Sequence, residues 1–183
     1  MKKSSTFLIP ISAILMIFAC SNSDDDSSVI DPSTGSTTVP EVYKKIYGAT
    51  SITSDGTYLT IKTNAKYENF SGTTYGNYTF IKNPNTISLT NAYTFKIPVN
   101  PVVSATHAAT PLAAIGVSIN GVPFFNQYAG PNQPLTNEFQ SFDKYWGHPT
   151  ATSMYHYHVE PLYLTETKGK DALMGFLLDG FPV

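Results

Sequence analysis

The chain has 183 residues, with 11 Lys and Arg against 13 Asp and Glu, a formal net charge of −2 and only 13% charged side chains. No basic cluster interrupts this balance, so nucleic acid is not an expected partner. Cysteine occurs once, at Cys20, which excludes an intrachain disulfide and a thiolate metal cluster.

The first elements in chain order are not fold. Lys2 and Lys3 precede an apolar run from Phe7 to Phe18, and small Ala19 stands before Cys20. The run falls short of the roughly 20 apolar residues that cross a bilayer, and it reads as a signal peptide over residues 1–19. Ile17-Phe18-Ala19-Cys20 resembles a bacterial lipobox, which implies cleavage before Cys20 and lipidation of its thiol; ordinary secretion with a free Cys20 is the alternative. Several acyl chains, at about 0.8 kcal/mol per buried methylene, would anchor the protein stably. Residues 20–40 then form a Ser, Thr, Asp and Gly linker whose apolar content cannot offset ordering entropy. Asp24-Asp25-Asp26 resembles the acidic tag of surface-exported lipoproteins in some Gram-negative bacteria, or is simply a solvated acidic stretch. Loss of Lys2 and Lys3 with the leader brings the mature side chains to about −4. The expected location is extracytoplasmic, lipid-anchored to the outer membrane and facing the cell surface.

Residues 41–183 make one domain of ordinary size, and their Tyr, Phe, Thr, Ile and Val with Gly, Asn and Pro punctuation predict an all-β class. Asp55-Gly56 is a turn signal before the alternating Tyr58-Leu59-Thr60-Ile61-Lys62. Further strands are predicted over 75–81, 87–89 and 93–99. No window from Glu41 to Pro161 holds helical periodicity for three turns, and only residues 166–178 could start a short helix. The expected architecture is an antiparallel β-sandwich or barrel-like domain.

An internal strand-turn repeat supports it. Residues 115–124 align without gaps to residues 174–183, each an apolar strand running into Asn120-Gly121 or Asp179-Gly180 and then Pro123 or Pro182. Asn-Gly and Asp-Gly suit a type I′ turn, and two such units predict a pseudo-symmetric pair in one sheet or in facing sheets.

The chemistry should lie in Tyr155-His156-Tyr157-His158, which holds two of the four histidines. Alternation along a strand puts His156 and His158 on one face, Cα atoms about 6.6 Å apart, with Tyr155 and Tyr157 on the other. Imidazole nitrogens stand about 2.0–2.1 Å from a zinc ion, so both rings can reach one metal. Glu160 lies about 13 Å along a straight strand from His156, too far to share the ion unless the chain bends at Pro161. His148 is the better third ligand, because Gly147 and Pro149 mark a turn that lets the chain fold back. Asp143 and Asp179 are the candidate carboxylates, as ligands or as acceptors of a ring N–H, although Asp179 is first a turn residue. Imidazole with oxygen donors suits Zn, Cu, Mn or Fe. A structural hydrogen-bond network in an aromatic core is a rival reading of the same rings, and metal-free acid–base catalysis a third. His107, in a polar loop, is expected to be exposed, and Trp146 reads as a core or rim anchor ahead of a sugar platform.

Several segments in order resemble the YHYH-domain proteins: residues 93–101, 114–126, Gly147-His148-Pro149, residues 155–158, and Leu178-Asp179-Gly180-Phe181-Pro182. The resemblance runs from about residue 51 to 183 and implies a secreted or lipid-anchored bacterial domain with no settled reaction. In typical members the Asp-Gly-Phe-Pro stretch continues into Tyr-Gly, a Cys-containing segment and a second Tyr-His-Tyr-His. Their absence here, with an apolar strand ending just after its turn, raises the expectation of a C-terminally incomplete domain. Two functions remain open from sequence: a metal-binding domain, with hydrolase or oxidase chemistry as its extension, and a non-catalytic envelope module for a glycan or protein partner.

Overall fold

Two sheets carry the domain. In a computed structural model, residues 36–66, 85, 87, 88, 90 and 92–183 are described. The expected signal peptide, Cys20, the linker up to residue 35 and the strand predicted over 75–81 lie outside the described residues. Of the strand predicted over 87–89, Leu89 also lies outside them, and Ile87 and Ser88 are not in a strand.

The first sheet is antiparallel, in the order β1 (Ala49–Ser54), β2 (Tyr58–Thr63), β3 (Tyr93–Pro98). Its first turn is held by Asp55, whose Oδ1 accepts the N–H groups of Thr57 at 2.9 Å and Tyr58 at 2.6 Å. Gly56 follows at φ 90, a left-handed conformation that glycine adopts without steric penalty. Alternation then buries Leu59 and Ile61 of β2 and Phe95 and Ile97 of β3 on one face. Each such side chain stabilises the fold by about 1.5–3 kcal/mol relative to exposure.

Along the rest of the chain come β4 (Ala114–Ser118), β5 (Pro123–Phe125), the short pair β6 (Tyr128–Ala129) and β7 (Gln133–Pro134), then β8 (Gly147–Pro149), β9 (Tyr155–Tyr157), helix α1 (Leu162–Lys168) and β10 (Gly175–Leu177). Five of these strands form the second sheet, in the order β10-β4-β5-β9-β8. All its pairings are antiparallel except β5 with β9, which is parallel. The all-β class therefore holds, and the described residues form open sheets with no closed barrel among them. The helix expected over 166–178 lies earlier, at Leu162–Lys168, and ends at Gly169 with φ 94. Buried Leu164 holds it to the core beside Phe124, Tyr155, Tyr157 and Met174.

The internal repeat is a local pseudo-twofold. Val117 pairs with its aligned counterpart Phe176, Gly116 with Leu177, and Ser118 with Gly175. The hydrogen bonds obey the same relation: Gly121 N–H donates to Ser118 O at 2.9 Å and Gly180 N–H to Leu177 O at 3.0 Å. Across the axis, Ile119 N–H donates to Met174 O and Leu178 N–H to Ile115 O, both at 2.8 Å. The turns are not type I′, which needs φ > 0 at both central residues. Only Gly121 (φ 82) and Gly180 (φ 94) are left-handed, and Ser118 N–H closes on Val122 O at 2.9 Å. This is the three-residue hairpin loop with glycine at its last position.

Paired residues share a face of a sheet. By register, Val117, Phe176, Phe125, His156 and His148 lie on one face of the second sheet. At its β10–β4 end that face packs against Leu59, Ile61, Phe95 and Ile97 of the first sheet. At its β9–β8 end it carries the histidines.

Candidate metal centre

The β8–β9 hairpin brings the three rings together. His148 stands directly opposite His156 in the antiparallel register, and His158 follows His156 two residues on. One cross-strand neighbour and one same-strand neighbour form a triangle on a single face. Gly147-His148-Pro149 is thus a strand and not the turn its Gly and Pro suggest. As the edge strand of its sheet, β8 tolerates Pro149 without losing a ladder bond. The reversal comes at Thr150 to Met154, where Thr150 N–H donates to Met154 O and Ser153 takes φ 69.

Nδ1 or Nε2 atoms of His148, His156 and His158 all lie within 4.8 Å of one another. Each Nδ1 is engaged by an acceptor. That of His156 faces Met154 O at 3.1 Å, and that of His158 faces Asn126 O at 2.6 Å. A carbonyl oxygen only accepts, so both rings carry their proton on Nδ1. His148 Nδ1 lies 2.7 Å from Ser141 Oγ, whose own proton goes to Glu138 O at 2.7 Å, so this ring too donates from Nδ1. Three Nε2 lone pairs are left facing one region. Those of His156 and His158 are 3.0 Å apart, a contact that no neutral tautomer consistent with these partners can convert into a hydrogen bond.

Protonation would supply the missing hydrogen, but burial opposes it at His148 and His156. Phe125 lies 4.0 Å from the His156 ring centroid, and Phe142 packs on His148 at 4.7 Å and on His158 at 6.0 Å. Burial, and then the neighbouring His158, push His148 down to about 3. Burial, His148 and His158 together hold His156 well below the ordinary imidazole range, although its bond to Met154 opposes them.

Sequence reasoning missed Glu138. Its Oε2 is buried without a hydrogen-bond partner, 3.6 Å from His158 Nε2 and 3.9 Å from His148 Nε2. These contacts are too long for hydrogen bonds. One signal was available: Glu138 is the only Asp, Glu, Lys or Arg between Lys96 and Asp143. Histidines and carboxylate together line a cavity of about 470 Å³.

The other sequence candidates stand elsewhere. Asp143 is buried behind the histidine strand, where Oδ2 accepts from the Tyr155 hydroxyl at 2.7 Å and Oδ1 from Tyr145 N–H at 2.9 Å. Asp179 is exposed in its turn, its Oδ1 accepting from Phe181 N–H at 3.2 Å, and is not among the clustered groups. Glu160 and His107 are exposed. Trp146 sits at the rim, 38% exposed at φ 63, edge-on to exposed Phe139 at 6.2 Å. Tyr155 and Tyr157 are fully buried on the opposite side of β9, as alternation requires.

A family model described as YHYH protein matches residues 94–183, a span containing all three histidines and Glu138. No curated protein and no solved structure matches the chain.

Proposed function

We propose that this chain, which belongs to the YHYH protein family through residues 94–183, is a lipid-anchored extracytoplasmic domain that binds one divalent transition-metal ion through His148, His156 and His158. One observation carries the metal reading: the three Nε2 lone pairs converge with every Nδ1 proton already committed. A hydrogen-bond network of neutral rings would place a proton between His156 and His158, and their backbone partners leave none to place there. A cation relieves this lone-pair crowding, as no further packing can.

The donor set fits such an ion. Neutral imidazoles with a nearby carboxylate and no thiolate suit Zn, Mn, non-haem Fe or Cu(II). When bound, the ion supplies Lewis acidity toward an oxygen-donor ligand entering the cavity. The residues around it orient the rings and keep water off them: Met154 O, Asn126 O and Ser141 Oγ fix ring rotation, and Phe125 and Phe142 wall the site.

Elemental analysis of the full-length protein, purified without chelator, tests this. About one equivalent of metal is expected, lost in His156→Ala and in His158→Ala; a metal-free wild-type protein sinks the reading. The exposed Phe139–Trp146 pair supports a second reading, a module that stacks on a glycan or docks on an envelope protein. That reading expects partner binding to survive both histidine substitutions. The anchor rests on the leader pattern ending at Cys20 and on the acidic residues 24–26, which support an outer-membrane, surface-facing location. Cys20→Ser should move the protein from the detergent phase to the aqueous phase.

A further inference from the structure

Glu138 makes the site more specific than a triad of histidines. We infer that its carboxylate is the fourth donor to the ion, and that the resulting singly positive centre takes a small monocarboxylate from the cavity beside it. This rests on the metal reading above.

Spacing separates a direct ligand from a more remote carboxylate. Donors about 2.1 Å from one ion stand about 3.0–3.6 Å from their neighbours, whether the ion takes four ligands or five. A carboxylate one water removed would lie about 4 Å from the ion, and in general further from the other donors. Glu138 Oε2 lies 3.6 Å and 3.9 Å from two of the nitrogens, close to the first arrangement. Its burial without a hydrogen-bond partner agrees, because a desolvated carboxylate oxygen needs a cation or a donor to offset the loss of water. The side chain as a whole remains 35% exposed, so the oxygen turned inward is the desolvated one.

Charge then selects the ligand. Three neutral imidazoles and one carboxylate leave a divalent ion with one unit of positive charge. Among the described residues that line the cavity, Glu138 is the only Asp, Glu, Lys or Arg, so no other described charge there compensates that unit. All four donors line the same space, so further coordination positions of a five- or six-coordinate ion open into it. Leu112, Phe125 and Tyr128 give it apolar walls, while Asn85 and Thr150 add polar groups. A small carboxylate with an apolar body meets both demands, as an anionic oxygen donor at the ion and an apolar group against the wall.

Cobalt(II) is the probe for the test, because its visible absorption reports coordination. The full-length protein should take up one Co²⁺, and acetate should then shift the spectrum saturably while neutral acetamide does not. Glu138→Gln should weaken Co²⁺ binding at least tenfold. Because it raises the centre from one to two positive charges, it should also tighten acetate binding severalfold in the cobalt-loaded protein. Glu138→Asp keeps the charge and should leave acetate affinity near the wild-type value. Equal Co²⁺ affinity in wild type and Glu138→Gln overturns this inference alone, as does acetate affinity that fails to rise there. Failure of the wild-type protein to bind Co²⁺ overturns the metal reading as well.

Discussion

The Tyr155 hydroxyl donates to Asp143 Oδ2 across 2.7 Å, on the face of β9 turned away from His156. Its ring passes where a side chain at Gly147 would stand, since a Cβ there would lie 2.4 Å from the Tyr155 ring. Asp143 also accepts the N–H groups of Tyr145 and Gly147, so one carboxylate ties the loop before His148 to the strand that carries His156. Tyr155→Phe removes a buried donor to a carboxylate and should cost about 1–3 kcal/mol in urea unfolding. Metal stoichiometry should survive it, because the histidine register is set by the β8–β9 ladder. Loss of the ion would show that the Tyr155–Asp143 bond sets the ring positions.

Metal should stabilise the folded state by mass action. At 100 times the dissociation constant the gain is about 2.7 kcal/mol, which for a domain of this size raises Tm by on the order of 5–10 °C. Differential scanning calorimetry of the apo and loaded protein checks this. The increment should disappear in His148→Ala and on addition of chelator.

Acid should weaken the metal-free protein. His148 falls to about 3 on folding and His156 also falls, whereas an unfolded histidine titrates near 6.5. Below about pH 6.5 the unfolded chain therefore binds more protons than the folded one, and stability falls with pH until the folded rings titrate. The slope should approach ~1 kcal/mol per pH unit for each ring. Urea midpoints between pH 6.5 and 5.5 measure it, and His148→Asn should flatten the curve. A flat wild-type profile in that window would contradict the burial argument.

The pseudo-twofold makes paired demands on two glycines. A Cβ on Gly116 would lie 2.5 Å from Phe176 O, and one on Gly175 would lie 2.3 Å from Val117 O, its symmetry counterpart. Gly116→Ala and Gly175→Ala should each destabilise by about 1–3 kcal/mol or more, since a backbone oxygen must give way. Unfolding curves should show similar losses at the two positions. A tolerated substitution at either would mean that β4 and β10 can separate without penalty.

Local sequence determined what local geometry can encode. Alternation in Tyr155-His156-Tyr157-His158 put two histidines on one face and two tyrosines in the core, because a strand has a period of two. Asn120-Gly121 and Asp179-Gly180 marked both hairpins, since each loop needs a left-handed residue. The loop type was missed because dipeptide composition does not distinguish a two-residue loop from a three-residue one.

Tertiary structure decided the rest. Residue spacing does not reveal that β5 runs parallel to β9, nor that His148 falls opposite His156, because both depend on where loops close. The Gly and Pro beside His148 suggested a turn, and an edge position in the sheet made them compatible with a strand. Glu138 sits beside a 3-10 turn, Leu135–Asn137, with no periodic relation to the histidines. Only the path of the chain from β7 to β8 carries its carboxylate to within 4 Å of two of them. Sequence thus determined which side chains could bind an ion, and the folded chain decided which of them meet, because ligand convergence is set by long-range contacts that no local pattern records.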